Sequence, residues 1–226
     1  MSQSRVVAVS AGPSQDSNEL ARVVSCVLDG ARQAGSETKH FILLSPHDAT
    51  AVRNDTYGGL VTDPASIDSL VREAIAADHL VLGVAGTPRR PSSPIASFID
   101  ACYGSAEWLS LAGLVALENA GLSFDPQADS RTFKFPVSRR PLTDAHRGLV
   151  VLHPPREIPD HDDPFCESTF FVLEEVQRLL GFLPIGRILS TGLFDPPLER
   201  NPILQRQALE IGRHLVSDII SAGAKK

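Results

Sequence analysis

Ser10, Ser14, Ser17 and Asn18 put three hydroxyls and one amide within nine residues, around the turn-forming pair Gly12-Pro13. The chemistry such a stretch offers is the holding of a phosphate. Side-chain donors would join the backbone N–H groups of a helix start, which lack intrahelical partners and lie at the positive end of the helix dipole. The loop contains no lysine, and the sequence carries neither GxxxxGK[ST] nor GxGxxG. An ATP-type phosphate loop and a dinucleotide fingerprint are therefore both disfavoured. A phosphomonoester held by hydroxyls and backbone fits these residues. The plainer alternative is an ordinary strand-to-helix turn in which Ser17 or Asn18 caps the helix.

Other residues that could do chemistry read more simply. His47 and Asp48 are neighbours on a turn and suit solvent. His153, Asp160, His161, Asp162 and Asp163 include metal-ligand types, but the PDHDDP context reads as a polar linker that caps the next helix, and no metal site is assigned. Ser92 and Ser93 lack an identifiable base partner, so capping suits them better than nucleophilic attack. Cys26, Cys102 and Cys166 are odd in number and too far apart for a CxxC pair, which fits a reducing compartment and small buried side chains.

Positioning the Ser10–Asn18 loop requires a strand before it and a helix after it, and the chain supplies that alternation repeatedly. Apolar runs suited to strands occur at Val6–Val9, Phe41–Leu44, His79–Val84, Leu114–Leu117 and Ile185–Leu189. Helical patterns lie at Glu19–Ala34, Ala65–Ala76, Ile95–Tyr103, Glu167–Leu180 and Ile203–Ser221. Continuous rather than alternating apolar runs indicate strands buried on both faces. The expected fold is α/β: one domain over 1–226 built on a doubly wound, five-stranded parallel sheet with helices on both faces. The proline-rich segment 122–163, with Leu149–Leu152 as its one convincing apolar run, reads as an insertion after the fourth strand. Phe133, Phe135, Arg139, Arg140, Arg147 and His153 could make it a lid or a dimer arm.

Composition narrows the partners. The 226 residues are 42% hydrophobic with a formal net charge of −6 and a sequence pI near 5.6. No run of lysine and arginine exceeds two residues, which argues against a nucleic-acid footprint. The first residues do not form a signal peptide, and no apolar run approaches membrane-spanning length. A cytoplasmic protein is expected.

The first loop resembles the SGSPRxxSN phosphate loop of the flavodoxin-like NAD(P)H-dependent flavin and quinone reductases. Ser10, Pro13, Ser17 and Asn18 match; Gly12 and Ser14 stand where that family has serine and arginine. A second likeness runs through Ala77-Asp78, the strand at His79–Gly83, the loop Thr87-Pro88-Arg89-Arg90-Pro91-Ser92 and the helix ending Phe98-Ile99-Asp100. It is similar to the family's "AD", TPxY loop and LKxFID helix, with Arg89 and Arg90 at commonly apolar or aromatic positions. A third covers Leu180-Gly181-Phe182, Gly186, Gly192 and Arg206 to Leu215. The fourth strand departs most, ending Glu118-Asn119-Ala120-Gly121 without a glycine-rich loop.

The resemblance implies non-covalently bound FMN, its phosphate held by Ser10, Gly12, Pro13, Ser14, Ser17 and Asn18. The ring would run beside Thr87, Pro88, Arg89, Arg90 and Ser92, with Asn119 and Gly121 at one edge. It also implies electron transfer from NAD(P)H through FMN to a flavin, quinone or similar acceptor, with no side-chain acid or base assigned. A homodimer or higher homo-oligomer would close so open a site. Two other readings stay open. The departures at Ser14, Arg89, Arg90 and Glu118 fit a rebuilt pocket that binds an anionic metabolite without FMN, and a flavin-binding electron-transfer module would need no NAD(P)H oxidation.

Overall fold

The computed structural model describes residues 3–12, 14–43, 60–61, 64–85, 93–104, 107–110, 134–137, 142–154, 164–190 and 198–217. β1 (Arg5–Ala11) leads into α1 (Ser14–Gln33), then β2 (Glu37–Leu43), the two-residue β3 (Leu60–Val61), α2 (Pro64–Ile75), β4 (His79–Ala85) and α3 (Ser93–Gly104). A small antiparallel pair follows, β5 (Glu107–Ser110) with β6 (Lys134–Val137). The chain returns to the main sheet with β7 (Arg147–His153), α4 (Pro164–Leu179) and β8 (Leu183–Leu189). A short 3-10 turn (Leu198–Arg200) and α5 (Pro202–Val216) close the described part.

The main sheet has the order β3-β2-β1-β4-β7-β8, with every pair parallel. Five of its strands are seven residues long and β3 is a short edge strand. Two apolar clusters cover the two faces. Val7, Val9, Leu80, Leu82, Val150 and Leu152 pack against the side of the sheet that carries α2, α3 and α4. Val6, Ala8, Val81, Leu149, Val151 and Ile188 pack against α1 and α5. Alternate residues of each central strand thus enter opposite cores, which is why these strands read as unbroken apolar runs. Cys102 and Cys166 are buried in the first cluster.

One expectation is corrected. The fourth long strand of the sheet is Arg147–His153, inside the segment read as an insertion, and it pairs with β4 on one side and β8 on the other. All seven of its residues are buried. Its polar ends, Arg147 and His153, and the prolines around it disguised a central strand as part of a loop. Part of 122–163 is therefore a strand of the main sheet, and the segment is not one insertion. The apolar run Leu114–Leu117 lies outside the described residues.

Arg147 is buried because it has an internal task. Its guanidinium donates to the carbonyls of His214 (2.9 Å), Leu215 and Ser217 at the end of α5. These are the carbonyls a helix leaves without intrahelical partners, and a cation also suits that end of the dipole. Replacing Arg147 with methionine keeps most of the stem and removes the donors. We expect a loss of about 2 kcal/mol or more, with faster amide exchange across the last turn of α5; an unchanged unfolding midpoint would contradict the assignment.

Glycine ends two helices. Gly35 and Gly181 have φ of 96° and 85°, and the following amides, Ser36 and Phe182, donate back to Ala31 (3.2 Å) and Gln177 (2.8 Å). These six-to-one bonds satisfy carbonyls at the ends of α1 and α4 and turn the chain toward β2 and β8. At the other end of α5, Asn201 accepts from the Leu204 amide at 3.0 Å, with Pro202 opening the helix.

Candidate functional site at the carboxyl edge of the sheet

The direction of winding reverses after β1: β2 lies on one side of it and β4 on the other. In open α/β sheets, ligands bind beyond the carboxyl ends of the strands at such a switch point. Here that point lies between the ends of β1 and β4, where Ala11 pairs with Val84. α1 begins at Ser14, only three residues after β1 ends. Its first turn, whose amides lack intrahelical partners, therefore stands at the switch point.

The seating of α1 is dictated by small residues beneath it. A Cβ added at Gly83 would lie 3.0 Å from Val24 Cγ2, 3.2 Å from Ser10 Cβ and 3.3 Å from Leu20 Cδ1. The absence of a side chain lets the first turns of α1 come down onto β4 directly behind the loop. A second tie comes from the far end of the chain: Glu19 accepts from the Leu198 amide at 3.1 Å, and Gln205 donates to the Leu198 carbonyl at 2.6 Å. The β8–α5 connection is thereby fastened to the second turn of α1.

Of the predicted phosphate-loop residues, Ser10 and Gly12 are both buried at the end of β1, and Ser14, Ser17 and Asn18 lie in the first turns of α1. The structure thus brings these five to one strand–helix junction. Pro13, Thr87, Pro88, Arg89, Arg90, Ser92, Asn119 and Gly121 lie outside the described residues. The connection that holds Thr87 to Ser92 leaves the sheet at Ala85, the last residue of β4 and the neighbour of β1's end.

The sequence did not disclose His40. It sits in β2 with 6% of its surface exposed, and its Nε2 shares a 2.8 Å hydrogen bond with Ser10 Oγ, itself 1% exposed. Burial pushes the His40 imidazole down to about 4. An unfolded chain takes up this proton near the ordinary value of 6.5, so stability that depends on a neutral His40 is complete above that pH and is lost as pH falls through 4. At about 1.4 kcal/mol per pH unit the loss reaches roughly 3 kcal/mol. Denaturation midpoints measured from pH 7 to pH 4 should fall more steeply for the native chain than for His40→Gln; parallel profiles would contradict this.

A second hydroxyl–imidazole pair lies further along the same edge. His153 Nδ1 and Ser190 Oγ are 2.7 Å apart at the ends of β7 and β8, both buried. His153 thus belongs to a sheet edge rather than to a polar linker. Among the described residues no group of three or more His, Cys, Asp and Glu is placed to hold a metal ion, and no helix is long and apolar enough to cross a membrane.

No known family pattern and no curated protein matches the chain. Solved structures do. An NAD(P)H:quinone oxidoreductase from Methanothermobacter marburgensis aligns over 95% of this chain and 100% of its own, at 13% identity and a TM-score of 0.57. An FMN-dependent NADH-azoreductase from Bacillus anthracis, in complex with FMN, aligns over 94% of this chain and 100% of its own at 14% identity and a TM-score of 0.55. A flavone reductase is 12% identical with a TM-score of 0.53, over 94% of this chain and 62% of its own. At such identities the likeness is one of fold. The chain shares the doubly wound, flavodoxin-like fold of these structures.

Proposed function

We propose that this protein is an FMN-dependent oxidoreductase that carries electrons from NAD(P)H to a flavin, quinone or similar small acceptor. The observation that carries the reading is the junction at the end of β1. Two residues separate the strand from α1, the helix opens at the switch point, and the sequence at that junction is Ser10-Ala11-Gly12-Pro13-Ser14-Gln15-Asp16-Ser17-Asn18. A phosphomonoester suits first-turn amides and short hydroxyls, which offer donors without a bulky cation. FMN has such a group, and similar folds include an FMN complex.

In this reading Gly12, Ser14, Ser17 and Asn18 hold the phosphate, aided by backbone amides, and Ser10 and Pro13 shape the entry to the loop. Thr87, Pro88, Arg89, Arg90 and Ser92 run from the end of β4 beside the ring, where an arginine plane can stack on an aromatic system. Asn119 and Gly121 complete the proposed contacts. FMN, when bound, supplies the two-electron chemistry; the chain binds and orients it and excludes water from its neighbourhood. A second copy of the chain is proposed to cover the open side of the site.

The reading is tested by anaerobic mixing of FMN-loaded protein with NADH and with NADPH, followed by a quinone or free flavin. Bleaching of the bound flavin and its recovery on addition of acceptor are expected. Flavin that stays oxidised under both nucleotides would overturn the reductase assignment and leave an electron-transfer module.

A further inference from the structure

The tie between Ser10 and His40 is placed where a phosphate loop needs stiffness. Ser10 is the last residue but one of β1, opposite Ile42 of β2, while His40 stands opposite Ala8. Their 2.8 Å bond therefore runs diagonally between the two strands. It joins the side chains on the face covered by α1, where Val6 and Ala8 also point. Gly83 of β4 lies beside Ser10, and Val24 and Leu20 of α1 approach the place its Cβ would take. The Ser10 side chain is thus held on three sides by β2, β4 and α1, and it stands just before the residues proposed to offer amides to the phosphate.

We propose that His40 is a positioning residue for the phosphate cradle: through Ser10 it fixes the end of β1, and so sets how strongly the protein distinguishes a phosphorylated ligand from its dephosphorylated form. The inference rests on the FMN reading and adds a residue to it that does not touch the ligand. Hydrogen bonds to an anion depend steeply on donor placement, and binding groups must be held to about half an ångström by the residues behind them. A hydrogen bond between a buried hydroxyl and a buried imidazole supplies that support. The flavin ring has no contact with this junction in the proposed arrangement, so loosening it should leave ring binding nearly as it was.

Comparison of FMN with riboflavin isolates the phosphate. Dissociation constants for both ligands are to be measured on the full chain, on Ser10→Ala, on His40→Phe, on the double variant and on His40→Gln, with the unfolding midpoint of each. The Gln amide can replace the imidazole's hydrogen bond to Ser10. We expect the FMN-to-riboflavin preference to fall by about tenfold in Ser10→Ala and in His40→Phe, no further in the double variant, and to recover in His40→Gln. A purely structural role would lower the midpoint and leave the preference alone. If the native chain prefers FMN and folded Ser10→Ala or His40→Phe keeps that preference, the inference is overturned while the FMN reading stands; if the native chain binds neither ligand, both are overturned.

Discussion

Gly212→Ala is expected to lower stability by about 3 kcal/mol or more, although alanine is the better helix former by about 1 kcal/mol. The reason is the contact between α1 and α5. A Cβ at Gly212 would lie 1.9 Å from the carbonyl oxygen of Val27 and 2.8 Å from its carbon. Gly30 faces the reverse problem, with a Cβ placed 2.1 Å from the Leu209 oxygen. In both places the obstacle is backbone, which cannot rotate away as a side chain can. The two helices would have to separate, and the packing of Leu204, Ala208 and Leu215 with Val24, Val27 and Ala31 would open with them. For a domain of this size the melting temperature should fall by roughly 6 to 12 °C. Gly30→Ala should behave alike, and the double variant should cost less than the sum, because one separation relieves both clashes. Gly104, which has open space around the same position, is the control. A change below about 1 kcal/mol at Gly212 would contradict the close approach of the helices.

Ser14→Glu is expected to weaken FMN binding by about 100-fold or more while leaving the protein folded. Ser14 is the first residue of α1, where a carboxylate favours the helix itself by some tenths of a kcal/mol. The same charge would stand against the phosphate. Two unit charges about 6 Å apart at an effective dielectric constant of about 20 repel by roughly 3 kcal/mol, which is about two decades of affinity. Riboflavin, without the phosphate, should feel far less of it. Calorimetry of both ligands on this variant separates electrostatic exclusion from misfolding. An FMN affinity within about threefold of the native value would mean that the anion does not sit at the start of α1.

Much of the fold was legible because its signals are local. The helical spacing of Leu20, Val23, Val24, Val27 and Ala31 places one face of α1 on the sheet, and that spacing is plain in the sequence. The continuous apolar runs of β1 and β4 announce strands with helices on both sides. β7 was hidden because its two ends carry Arg147 and His153, which are buried by partners far away in sequence: the end of α5 and Ser190. Nothing within the strand reveals those partners.

The site divides the same way. The hydroxyls of the first loop lie within nine residues of one another and read as a phosphate cradle. His40 sits thirty residues from Ser10, in a strand whose register had to be known before the two could be paired. Glu19 and Leu198 meet across an even longer separation. Contacts of that kind follow from the order of strands rather than from any motif.

The junction at the end of β1 is proposed to hold FMN. The direct measurement is a titration of FMN into purified protein prepared without added cofactor, followed by visible absorbance and flavin fluorescence. Saturable binding at one FMN per chain with a perturbed flavin spectrum, or flavin already present in the purified protein, is expected. Purified protein that is colourless and leaves the FMN spectrum unchanged at every concentration would contradict it, and would favour a pocket rebuilt for another anion.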